Sequence, residues 1–373
     1  MQFKRIVIKV GSALIAPEGT SCKVSSVLPI AQFIQQWQQA GVEVVLVSSG
    51  AVAAGRVHVA HGSRNVSITT KQAMASVGQS LLMSHWQRFF DNACAQLLIT
   101  HDDLKDRARY LNIKNTLRTL LANDILPIVN ENDTVATQEL KVGDNDNLAA
   151  LVAMVCDADA LVILSDVDGI FDSDPRSNQQ AKLVNNIPKI TEAIYVMAGG
   201  TSNAIATGGM RTKIEAAEKA TLHGIDTFII NGSKSEHFSR MLEGSCPGSH
   251  FKAQKPLLKA KKHWLQQTLP STGRIVIDQG ARDALRDNGA SLLATGIIAV
   301  EGYFVKGDAV NVVAQPDNQL VAKGIVQYSQ QELQKIIGKK SQQFVEVLGY
   351  CPATEVIHRD DMVIQPVLPE EDI

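Results

Sequence analysis

The chain has 373 residues, 45% of them hydrophobic and 20% charged, with a formal net charge of -2. That length exceeds what one ordinary core supports, so two domains are expected, and the charge gives no whole-chain case for a nucleic-acid or anionic-membrane partner. The five cysteines, Cys22, Cys94, Cys156, Cys246 and Cys351, form no C-x-x-C pair, which argues against a disulfide scaffold or structural zinc and for a reducing, cytoplasmic location.

Met1 to Arg5 lead directly into Ile6-Val7-Ile8-Lys9-Val10, without the pattern of a signal peptide, and no run approaches a membrane span. This β-branched segment, closed by Gly11-Ser12, predicts a buried strand and a sharp turn. A helical stretch over 30–40 stops at Gly41. Val44-Val45-Leu46-Val47 is the next strand and runs into Ser48-Ser49-Gly50-Ala51. The alternation continues with strands at 96–99, 126–129, 161–164 and 227–230 and helices over 108–121, from 148, and over 214–220. Continuous apolar strands between helices predict an α/β fold, a mainly parallel sheet sandwiched by helices, with ligands beyond the strand C-termini. From Gly232 to about Thr272 the pattern breaks into Gly, Ser, Pro and Lys. Short strands then follow at 274–278, 296–300, 309–313, 321–326 and 362–364, the spacing of a small β barrel. The boundaries drawn are 1–250 and 272–362 for two domains, 251–271 for a linker and 363–373 for a tail.

Polar residues gather at the strand ends. Lys9 interrupts an apolar strand next to Gly11, where an ammonium and closely approaching backbone N–H groups suit a phosphate; a snorkelling edge-strand lysine is the alternative. Gly50 and Gly55 have the spacing of a P-loop start, but Arg56-Val57 stands where Lys and Ser or Thr are required. Asn130-Glu131-Asn132-Asp133 and Gly143-Asp144-Asn145-Asp146-Asn147 place four carboxylates beside short apolar elements. Either run alone suits a turn or helix cap; the two together suit a site for a small charged ligand. Ser165-Asp166 ends another strand. Thr207-Gly208-Gly209-Met210-Arg211-Thr212-Lys213 enters a helix, with two glycines free to wrap oxygens and a lysine adding charge to the helix N-terminus. There is no G-x-G-x-x-G, which counts against a nicotinamide dehydrogenase, and no His or Cys cluster. Any metal should be hard, most simply Mg²⁺ carried in with phosphates, and no protein metal ligand is assigned. The inventory fits phosphoryl transfer by positioning and charge neutralisation.

Lys9-Val10-Gly11-Ser12, Ser48 through Gly55, Asn130 through Asp133, Lys141 through Leu148 and Thr207 through Lys213 together resemble the glutamate 5-kinases of the amino acid kinase family. The stretch from Gly273 through Gly302-Tyr303-Phe304-Val305-Lys306-Gly307-Asp308 to Met362 resembles a PUA domain. The resemblance implies transfer of the ATP γ-phosphoryl to the γ-carboxylate of L-glutamate, giving L-glutamyl 5-phosphate, the first step of L-proline biosynthesis. It also implies catalysis by Lys9 and Lys213 with Asp146 holding both ammoniums. Ser49, Asp133, Asp144 and Asn145 would bind glutamate. Lys9, Gly11, Ser165, Asp166 and the run Thr207, Gly208, Gly209, Met210, Arg211, Thr212 and Lys213 would bind ATP. L-Proline is implied as feedback inhibitor and a homo-oligomer as the assembly. Another amino acid kinase, or an RNA-binding protein acting through the barrel, is the rival reading. RNA is disfavoured because residues 272–373 hold nine Lys and Arg against fourteen Asp and Glu and so lack the charge that drives counterion release.

Overall fold

The computed structural model describes residues 2–60, 66–136, 145–175, 177–197, 208–254, 271–316 and 318–365. The chain divides into two compact units, Met1–Lys105 with Asn112–Leu257, and Asp106–Leu111 with Leu258–Ile373.

In chain order the first stretch runs β1 (Arg5–Val10), α1 (Ser12–Ile15), α2 (Val24–Gln39), β2 (Glu43–Ser48), α3 (Ala51–Gly55), α4 (Ile68–Gln87), β3 (Cys94–Ile99), α5 (His101–Lys105), α6 (Arg107–Ala122) and β4 (Leu126–Glu131). It continues with α7 (Asn145–Val155), β5 (Ala160–Ser165), β6 (Asn186–Ile187), α8 (Glu192–Met197), α9 (Gly208–Leu222), β7 (Asp226–Asn231), α10 (Ser235–Leu242) and β8 (Ser249–Phe251). The eight strands form one sheet in the order β3-β4-β2-β1-β5-β7-β8-β6. Its pairs are parallel except β7 with β8. β1 lies mid-sheet, with Lys9 in register between Val47 and Ile163. Strands buried on both faces must be apolar throughout, and Ile6, Val7, Ile8, Val45, Leu46, Val162 and Ile163 have no exposure.

Several elements differ from the sequence pattern, three of them informative. α2 begins at Val24 rather than near Ile30, although Pro29 lies inside it. The proline costs one hydrogen bond close to the N-terminus, and burial of Val27, Ile30, Phe33, Ile34 and Trp37 outweighs it. α10 and β8 fall within the stretch of loop-like composition after Gly232. Phe238 of α10 stacks on Phe33 of α2 at 4.6 Å, and β8 pairs with both β7 and β6, so this stretch completes the first sheet and its core.

The second unit holds β9 (Ser271–Ile277), α11 (Gln279–Asp287), β10 (Ile297–Gly302), β11 (Ala309–Ala314), β12 (Gln319–Ile325), α12 (Gln330–Ile336), α13 (Phe344–Leu348) and β13 (Met362–Ile364). Its five strands form a separate sheet, ordered β10-β9-β11-β12-β13, around a core that includes Ile275, Phe304, Val312, Tyr328 and Phe344. Asp278 caps α11 by accepting from the Ala281 N–H at 2.7 Å, and Ser329 with Glu332 forms a capping box on α12.

Candidate active site

Because β1, β2, β4 and β5 run in parallel, their C-terminal ends share one edge of the sheet, where α/β proteins place ligands. The loops after them, with the first turns of α4, α7 and α9, enclose a cavity of about 370 Å³. β1 contributes Lys9 and Gly11, and β2 leads to Ser49 and Gly50. β4 contributes Asn130 and Glu131 with Asp133 just beyond, and β5 ends on Ser165 and Asp166. Gly50 has φ +108, a conformation that L side chains rarely adopt, and it starts α3 as the chain turns off the end of β2.

The first turn of α7 organises the site because its three consecutive polar residues fan out. Asp146 points to the cations. Its Oδ1 lies 2.6 Å from Lys9 Nζ and its Oδ2 lies 3.0 Å from Lys213 Nζ, while the Thr212 hydroxyl donates to Oδ2 at 2.8 Å. All three side chains are largely buried, at 5% exposure for Lys9, 12% for Lys213 and 2% for Asp146. Burial by itself would raise the Asp146 pKa, but the two ammoniums outweigh it and hold the carboxyl below its usual range. Lys213 also donates to the Gly209 carbonyl at 3.0 Å, which keeps its ammonium beside the first turn of α9. Asn147 turns the other way and accepts from Lys219 at 2.6 Å, tying α7 to α9.

Asn145 faces the opposite wall. Its Nδ2 donates to Ser49 Oγ at 2.8 Å and to Asn130 Oδ1 at 2.9 Å. Asn130 is 2% exposed and donates in turn to Gln79 Oε1 at 2.9 Å, and Gln79 donates to Gln96 Oε1 at 3.2 Å. Glu131 is buried, with His101 Nδ1 3.8 Å from its Oε2. One wall therefore carries buried cations and a helix N-terminus, and the other carries amides, a hydroxyl and carboxylates.

Of the residues singled out in the sequence, Lys9, Gly11, Ser49, Asp133, Asn145, Asp146, Ser165, Asp166, Gly209, Thr212 and Lys213 line this one cavity. Ser165 donates to Asp166 Oδ1 at 3.2 Å. Gly208 opens α9, and Met210 is not among the described residues that line the cavity. Arg211 turns away from the cavity to Glu215, at 3.0 Å, and to the ring of Tyr195. Asp144 and Thr207 lie outside the described residues. Lys71, Asn130 and Glu131 also line the cavity. Asn130 and Glu131 sit in a run the sequence made conspicuous; Lys71 stands in no such run. Among the described residues no group of three His, Cys, Asp or Glu could hold a metal ion, and the Asp146 carboxylate is committed to two lysines.

A parallel α/β sheet that brings two lysines and a helix N-terminus to one buried carboxylate is the construction of a phosphotransferase that works by charge neutralisation. Residues 4–231 match the amino acid kinase family and residues 273–348 match the PUA domain. The chain is similar to the glutamate 5-kinase of Idiomarina loihiensis (strain ATCC BAA-735 / DSM 15497 / L2-TR), 55% identical over 97% of this chain and 98% of that one. It is 52% identical to the glutamate 5-kinase of Salinibacter ruber (strain DSM 13855 / M31), over 97% of this chain and 98% of that one. With the glutamate 5-kinase of Xanthomonas oryzae pv. oryzae (strain MAFF 311018) it is 44% identical over 96% of this chain and all of that one. The chain belongs to the amino acid kinase family, in its glutamate 5-kinase branch.

Proposed function

We propose that this chain transfers the γ-phosphoryl group of ATP to the γ-carboxylate of L-glutamate, forming L-glutamyl 5-phosphate and ADP for proline biosynthesis. The observation that carries the reading is the Asp146 carboxylate clamped between Lys9 and Lys213 at the cavity wall. A free carboxyl has a pKa of about 4, so the attacking carboxylate is ionised at neutral pH and needs no general base. Its oxygen forms a bond to the γ-phosphorus as the bond to the β,γ-bridging oxygen breaks, and ADP leaves with that electron pair. Lys9 and Lys213 neutralise the charge on the transferring group, and Asp146 keeps their ammoniums in place. Ser165, Asp166 and the first turn of α9 serve the nucleotide, which enters as its Mg²⁺ complex. Ser49, Asp133 and Asn145 hold the amino-acid end of glutamate, with Asp133 taking the α-ammonium. L-Proline shares the α-amino and α-carboxylate groups and acts as feedback inhibitor at the same wall, with inhibition that weakens as glutamate rises.

We place the enzyme in the cytoplasm as a homo-oligomer. Among the described residues, no helix is long and apolar enough to cross a membrane. The test is an ATP- and Mg²⁺-dependent assay over L-glutamate, L-aspartate, N-acetyl-L-glutamate and carbamate, with hydroxylamine trapping the acyl phosphate. Hydroxamate formation with glutamate alone supports the reading. Turnover with one of the other acceptors and none with glutamate would assign a different amino acid kinase.

A further inference from the structure

The amide side chains behind the cavity form one continuous hydrogen-bonded chain, and its polarity is fixed at a single point. An amide O and N can exchange places when both neighbours are themselves adaptable. Here they cannot. The backbone N–H of Glu131 donates to Asn130 Oδ1 at 2.9 Å, and a backbone N–H can only donate, so that atom of Asn130 must be the oxygen. Two consequences run outward. Asn130 Nδ2 must donate to Gln79, at 2.9 Å, so the Gln79 atom it meets is Oε1 and Gln79 Nε2 is left to donate to Gln96, at 3.2 Å. In the other direction, Asn130 Oδ1 accepts from Asn145 Nδ2 at 2.9 Å, whose second hydrogen goes to Ser49 Oγ at 2.8 Å.

Ser49 therefore meets Asn145 as an acceptor, and its own hydrogen is left to donate elsewhere. Ser49 lines the cavity. A hydroxyl with one of its two lone pairs taken by an amide donor still has its proton to offer an anionic oxygen, and the anionic group on the amino-acid end of glutamate is the α-carboxylate. Resting on the assignment of glutamate as substrate, we propose that Gln79 is a positioning residue for this enzyme. Acting through Asn130 and Asn145 from behind the cavity wall, it holds Ser49 as a hydrogen-bond donor to the substrate α-carboxylate. Gln79 is suited to this by burial, at 8% exposure, and by its place on α4. It lies next to Gly78, which is in backbone contact with α3, and α3 starts directly after the Ser49-Gly50 turn.

The test is a double-mutant cycle on the full-length protein with Gln79→Met, which keeps the size of the side chain and removes both polar ends, and Ser49→Ala. Loss of an oriented hydrogen bond to a charged group costs about tenfold or more in affinity. Gln79→Met should therefore raise KM for L-glutamate about tenfold while kcat stays within about twofold and KM for ATP does not move. In the Ser49→Ala background the same substitution should have almost no further effect, because the hydroxyl it orients is gone. Additive effects of the two substitutions, or equal changes in both KM values, would overturn the relay and leave Gln79 a packing residue. If Gln79→Met fails to fold, Gln96→Met removes the acceptor one link further back and should show the same non-additivity at smaller size. A wild-type protein inactive on glutamate would instead overturn the substrate assignment, so the two failures are distinguishable.

Discussion

Gly55 of α3 and Gly78 of α4 lie back to back, so close that neither position has room for a side chain. A Cβ on Gly78 would sit 1.8 Å from the Ala51 carbonyl oxygen and 2.4 Å from the Gly55 nitrogen, and one on Gly55 would sit 1.9 Å from the Met74 carbonyl oxygen. The obstructing atoms are backbone, which cannot rotate aside as a side-chain end can. The two glycines fix the distance between a long helix and the turn that carries Ser49.

Gly78→Ala should consequently act on stability and on substrate binding together. Forcing a methyl into a closed backbone contact costs about 3 kcal/mol, and the relief available is to push α3 and its preceding turn away from α4. Thermal unfolding should show a lowered midpoint, and KM for glutamate should rise more than KM for ATP. A variant as stable as the parent would contradict this account of the contact.

Removing either clamp lysine should reduce turnover rather than binding. Lys213→Ala takes away one preformed charge from the transferring phosphoryl group and should lower kcat by about 10². Lys9→Ala should do the same and also destabilise the fold by about 3 kcal/mol, because Lys9 is the more deeply buried partner and its loss leaves Asp146 partly uncompensated. Steady-state kinetics and urea unfolding of the pair check both statements; near-normal turnover in the Lys213 variant would remove it from the mechanism.

The pH dependence of stability should carry the mark of Asp146. Its folded pKa is held below the ordinary value of 3.8 because the attraction of the two lysines outweighs the cost of burying the charge. A carboxyl with a depressed folded pKa contributes stability that is fully present above its unfolded pKa and is lost as pH falls through the folded one. Asp146→Asn should therefore lower stability at pH 7 and flatten the acid limb below about pH 4. Urea unfolding at pH 7 and at pH 3 measures this, and an equal loss at both would show that Asp146 does not titrate with the fold.

The five cysteines, all free thiols, should separate sharply by reactivity. Burial pushes the Cys156 thiol up to about 12 and that of Cys94 up to about 11, and it raises Cys22 and Cys246 as well. Cys351 is exposed. Since the thiolate is the nucleophile, maleimide at neutral pH should label Cys351 rapidly in the native protein, the partly buried Cys22, Cys94 and Cys246 more slowly, and the buried Cys156 only after unfolding, as peptide mass mapping would reveal. Fast native labelling of Cys156 would mean that the core around it opens.

What the sequence made legible follows from how each element is stabilised. β1, β2, β4, β5 and β7 announce themselves because a strand covered on both faces must be apolar at every residue, and the glycine and Asn-Asp runs stand out at their ends. α4 does not. Its buried face includes Gly78, Gln79 and His85 among Met74, Ala75, Leu82 and Trp86, since it must approach α3 closely and supply an amide to Asn130, and both needs erase the apolar stripe. β8 is short and partly polar, and only its partners β7 and β6 define it. The clamp is a pairing across distant segments: composition and spacing make Lys9, Asp146 and Lys213 individually visible, only the family resemblance implies that Asp146 holds both lysines, and the packing of α7 against β1 and α9 supplies the geometry. Arg211 is the converse, a residue in a phosphate-like motif whose own helix supplies Glu215 as its partner.

Asp146 is also a built-in counterion to both lysines, and on the proposed function this would limit how tightly the site can grip phosphate. In the absence of nucleotide the lysines are already neutralised in part, so arriving phosphate oxygens compete with an internal carboxylate for the same ammoniums. That competition weakens ground-state binding, while the extra charge on the transferring group can still draw the lysines more strongly at the transition state. On the proposed function, the enzyme would give up some ground-state affinity for its nucleotide, product included. Removing the counterion should convert a turnover site into a retention site: Asp146→Asn should bind ADP more tightly by calorimetry even as its catalytic rate falls.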